Sequence, residues 1–138
     1  MNLDRFGFKA KSNQRGNYWL YASLDFYDGI GSYGVRYHLE PGGDTAFSPA
    51  GIKPETLCQC TGLKDSEGNL IYENDILEIE IPHGKDNGVV YYQELDTSFR
   101  VWQEAFTMGL ALVIEHIRTM GWKVKVIGNK FDKEDNNA

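Results

Sequence analysis

Asp65, Glu67, Glu73 and Asp75 crowd into the stretch TGLKDSEGNLIYENDIL at 61–77. Carboxylates this close could serve acid–base catalysis or hold a cation. A calcium loop of the helix–loop–helix kind fails, because Gly68 follows Asp65 too soon and no pair of helices flanks it. A phosphate loop fails as well, since Gly62-Leu63-Lys64 runs into Asp65 where Ser or Thr is needed at a helix start. What remains is turn chemistry. Residues 64–69 supply side-chain acceptors and tolerate positive φ, and Asn74 suits a left-handed position before the strand that Ile76 begins.

The other reactive side chains do not assemble into a recognisable site either. Cys58 and Cys60, with His38, His83 or His116, could supply zinc ligands, but structural zinc sites need two spaced pairs. His38-Leu39-Glu40 has the order of a metal ligand and a base, yet the Pro-Cys-x-x-Cys that completes such zinc sites is absent. An internal disulfide between Cys58 and Cys60 is geometrically disfavoured, and reduced thiols are expected. No nucleophile, base and orienting acid fall together, so catalytic residues, cofactors and metals are all expected to be none, and the chain is read as a non-enzyme.

Lys9, Lys11 and Arg15 interleave with Tyr18, Trp19 and Tyr21, the one arrangement suited to a nucleic-acid strand or a partner. The bland reading is a half-buried hairpin with a wet face. It is favoured because the chain of 138 residues carries a net charge of -6 while its first residues are basic, which places the negative charge on the remainder.

The elements that must position these residues are mostly strands. Aromatic residues at 13% and 15 glycines tilt an otherwise ordinary globular composition towards strands and turns. Strands are expected at 6–11, 18–24, 33–39, 56–61, 76–81, 89–92, 99–102 and 123–128, with turns at 12–17 and 82–88 and a long loop at 40–56. A helix is expected over 103–119, where Phe106, Leu110, Val113 and Ile117 form one stripe that Gly121 would end. That stripe either packs on the open side of a small barrel or makes a seam between subunits. Residues 133–138 read as a disordered tail. With no charged-then-apolar leader and no apolar stretch of membrane length, a soluble cytoplasmic protein is expected.

Three blocks together resemble the YopX-like proteins of phages and prophages: FKAKSNQRGNYWLYASL (8–24), FSPAGIKPETLCQCTGLKDSEGNLIYENDIL (47–77) and VKVIGN (124–129). The middle block is the specific one. Asn74 stands where the family usually has Gly, Cys60 where an aromatic is common, and residues 25–45 match only loosely. The resemblance implies a mostly β fold over 1–132: an SH3-like, partly open barrel at 57–130, an N-terminal β elaboration at 1–56 and one helix in the C-terminal half. It carries no catalytic residues. The expected function is therefore a binding or accessory role in a bacterial host through protein contacts, as a homo-oligomer, with Phe106, Leu110, Val113 and Ile117 as the candidate seam where that stripe is not packed on the barrel. The alternative is nucleic-acid binding through Lys9, Lys11, Arg15 and Trp19.

Overall fold

The computed structural model describes residues 7–12, 18–26, 33–38, 45–46, 53–103 and 107–132. The chain divides into two compact units, Met1–Cys60 and Thr61–Ala138. Arg15, Phe106, the turn at 13–17 and the tail at 133–138 lie outside the described residues.

In the first unit, β1 (Gly7–Lys11) and β2 (Trp19–Phe26) form the expected antiparallel hairpin, with Lys9 opposite Tyr21 and Lys11 opposite Trp19. β3 (Tyr33–His38) pairs with β2, so part of the loosely matching region 25–45 is sheet. β4 (Thr45–Ala46) adds a short edge within the expected loop. On the other side of β1 comes the start of β5 (Cys58–Lys64), with Phe8 opposite Gln59. A 3-10 turn at Pro54–Thr56 leads into it, and Thr56 fastens that turn to β1: its Oγ accepts from the Lys11 N–H at 2.8 Å.

The second unit is built on a five-stranded antiparallel sheet that curls into a half-barrel. Its strands are β7 (Asp75–Ile81), β8 (Gly84–Gln93), β9 (Ser98–Trp102), β10 (Thr107–Gly109) and β11 (Lys123–Asn129), in the order β10-β9-β8-β7-β11. This unit also holds β6 (Leu70–Tyr72), the sheet neighbour of β5. Leu77 and Ile79 on β7, Val90 on β8, Val101 on β9 and Val124 on β11 point inward and are buried with Ile71, as the period of two requires. The helix α1 (Leu110–Met120) closes this core with Leu110 and Val113. Together the two units make a mostly β protein in which α1 is the one α-helix among the described residues.

Two expectations about element boundaries are corrected. The turn at 82–88 shrinks to Pro82-His83, and β8 begins at Gly84, opposite Ile81. Glycine, Lys, Asp and Asn at 84–88 have low strand propensity, but the ladder to β7 supplies their backbone partners, and strand propensity yields readily to such context. Gly88 is required there by close approach: a Cβ on it would strike the Val101 side chain and press on Gln103. The helix starts at Leu110, not near 103, because Thr107–Gly109 pairs with β9 as a strand and Gly109 is extended at φ -61°, ψ 135°. Its expected end holds: Gly121 is left-handed at φ 72°, and its N–H donates to the His116 carbonyl.

Candidate functional site

The acidic stretch at 61–77 is structural. Asp65 is buried, and its Oδ1 accepts from the backbone N–H groups of Glu67 and Asn69, both at 2.9 Å. Its Oδ2 accepts from the Val126 N–H at 3.0 Å. The next residue completes the clasp on β11: the Ser66 N–H donates to the Val124 carbonyl, and the Val124 N–H donates to Ser66 Oγ, each at 2.8 Å. One turn is thereby tied to a strand far along the chain.

Asp75 does the same for the second turn. It is fully buried, and its Oδ2 accepts from the Tyr72 N–H at 2.8 Å while Oδ1 accepts from Asn129 Nδ2 at 2.9 Å. The Asn129 amide also donates to the Glu73 carbonyl at 3.2 Å, and its Oδ1 accepts from the Phe131 N–H at 3.0 Å. Between these anchors Asn74 takes the expected left-handed conformation at φ 67°. A carboxylate that accepts from backbone or side-chain donors of the fold on both oxygens has those lone pairs directed at the fold. The sequence reading of this stretch as turns agrees with its geometry. It did not anticipate Asn129, whose partner lies 54 residues away.

The remaining site residues are dispersed. Cys58 and Cys60 are buried and unbridged, and the Cys58 thiol donates to the Thr56 carbonyl at 3.2 Å. Among the described residues no group of three His, Cys, Asp or Glu could hold a metal. The face expected to be wet at Lys9 and Lys11 is largely covered, with these residues 7% and 5% exposed. Both ammonium groups sit at one indole, 4.6 and 4.7 Å from the centroid of a Trp19 ring, so basic and aromatic residues satisfy each other within the hairpin. In the helical stripe Leu110 and Val113 are consumed by the core and Ile117 packs against it. These three side chains therefore lie on the inward face of α1, against its own sheet.

What the sequence reading missed lies on the outer face of the half-barrel. Val89 and Tyr91 alternate with the inward Val90 along β8, and Trp102 stands opposite Val89 on β9. With Asn74 and Lys130 they border a shallow hollow of about 420 Å³. Trp102 is 50% exposed. The signal was present in the alternation Val89-x-Tyr91 and in the lone Trp at the end of β9, but only the register shows that they meet.

The second unit is a small half-barrel whose turn carboxylates are tied into its frame, with aromatic side chains on its outer face, and it defines a mostly β class of domain. The chain belongs to the YopX protein family, whose model matches residues 8–134. Among curated proteins none matches it. Among the described residues no helix is long and apolar enough to cross a membrane.

Proposed function

We propose that the protein is a non-enzymatic accessory protein, encoded by a phage or prophage and acting in the bacterial cytoplasm as a homo-oligomer, that works by binding another protein. The observation that carries this reading is the half-exposed Trp102 beside Tyr91 and Val89, with Lys130 at the rim. Trp and Tyr supply large, stiff contact area and are enriched among the residues that dominate binding energy. The commitment of Asp65 and Asp75 to donors of the fold, backbone N–H groups and the Asn129 amide, supports the non-enzymatic part. Nucleic-acid binding through the N-terminal hairpin is the other reading, and it would require the Lys9 and Lys11 ammonium groups to leave Trp19.

The test is capture from a bacterial lysate by the wild-type protein and by Trp102→Ala, each with and without nuclease. A truncated hot-spot Trp lowers affinity by about 30-fold or more. A discrete protein that survives nuclease and is lost with Trp102→Ala is the expected result. Equal recovery by both forms, or recovery of nuclease-sensitive material alone, overturns the reading.

A further inference from the structure

The inner face of the half-barrel holds a second hollow that neither the core nor the Trp102 surface accounts for. Ile79 and Ile81 on β7, Asp86 on β8, Gln103 after β9 and Trp122 before β11 border about 290 Å³ of space. That is room for one long side chain with some solvent. Its walls are of two kinds. Ile79 and Ile81 give an aliphatic side, and Trp122 gives an indole whose orientation is fixed by an edge-on contact with His116, centroids 4.4 Å apart.

The polar groups make the hollow selective. Gln103 is only 6% exposed, yet its amide has no hydrogen-bond partner among the described residues, and it borders the hollow. An amide with no partner in the fold can hydrogen-bond with what enters the hollow. The formal charge directed into the space is negative. Asp86 stands opposite Ile79 on the inward side of the ladder, and its Oδ1 accepts from the Asn87 N–H, leaving Oδ2 for another donor. Lys85 also lines the hollow, but its ammonium lies 3.7 Å from Glu78 on the outer face. His83 sits in the Pro82-His83 turn at the rim.

We propose that this hollow receives one basic side chain, arginine or lysine, of a partner protein. The aliphatic stem lies along Ile79 and Ile81, and the cationic head meets the Asp86 carboxylate and the Gln103 carbonyl oxygen beside the Trp122 ring. Indole is the strongest of the aromatic faces for a cation, and a long basic side chain is the natural ligand for an apolar wall that ends in acceptors. The proposal rests on the protein-binding reading for the source of that side chain, but not on the Trp102 surface, which lies on the opposite face of the sheet.

The experiment is a titration of the full ¹⁵N-labelled chain, following the Trp122 indole and Gln103 amide signals, assigned with Trp122→Phe and Gln103→Leu. The probes are N-acetyl-arginine amide, N-acetyl-lysine amide, the neutral N-acetyl-citrulline amide, and putrescine as a free small-molecule source of the same charge. Saturable shifts of both signals with the arginine or lysine probe are expected, and Asp86→Asn should weaken that binding roughly two- to fivefold, the range for an exposed ion pair. Gln103→Leu should weaken it too. Absence of saturation, equal binding of the citrulline probe, tighter binding of putrescine, or a Gln103→Leu variant that binds unchanged would each overturn the proposal. None of these outcomes depends on whether Trp102→Ala loses its captured protein, so the two readings fail separately.

Discussion

Replacing Asp75 tests whether the acidic stretch is frame or chemistry. The side chain is fully buried and holds the Tyr72 N–H and the Asn129 amide on separate oxygens. Asparagine keeps the volume but offers one acceptor in place of two, so one donor must then face an NH₂ group. A hydrogen bond to a charged acceptor is worth about 1.5–3 kcal/mol, and stranding a buried donor costs about 1–3 kcal/mol. Asp75→Asn should therefore lower stability by about 2–3 kcal/mol, and Asp75→Ala, which removes both acceptors, by about 3–5 kcal/mol. Against a typical total of about 5–15 kcal/mol, either change moves a urea midpoint well outside error. The assay is urea unfolding followed by fluorescence, with capture of the binding partner measured on the folded fraction. An Asp75→Asn protein within about 0.5 kcal/mol of wild type, the scatter of ordinary surface changes, would refute the argument. So would one that is equally stable but has lost its partner, because the carboxylate would then be acting on something other than the backbone.

Two further substitutions probe the neighbouring geometry. Asn74 at φ 67° should accept glycine with little change, whereas Asn74→Val should lose about 1–2 kcal/mol or more in the same unfolding assay. Leu110→Ala removes a fully buried side chain between α1 and the sheet and should cost about 2–5 kcal/mol, while light scattering finds the oligomeric state of the folded protein unchanged. A change of assembly state without loss of stability would restore the helical stripe as a seam.

Which features were legible in the sequence follows from how local their causes are. The alternation of Leu77, Ile79 and Ile81 with glutamates, the left-handed Asn74 and the Gly121 helix end are each decided within a few residues, and all three stand as read. The start of α1 was misplaced because the apolar stripe continues through Phe106, while pairing of Thr107–Gly109 with β9 is a contact that helical periodicity does not encode. The turn at 82–88 was overextended for the same reason, since polar and glycine residues became strand once β7 lay beside them. Sites follow this rule more severely. Asp75 and Asn129, or Val89 and Trp102, mean little apart and acquire a role only through register. Charge near an aromatic was visible at Lys9, Lys11 and Trp19, but whether such a cluster faces outward or satisfies itself depends on cross-strand pairing, and here Lys11 lies directly opposite Trp19. Asp65, Asp75, Lys9 and Lys11, whose types suggested chemistry, are thus taken up by the fold, while Val89, Tyr91 and Trp102 stand on an outer face that the core did not claim.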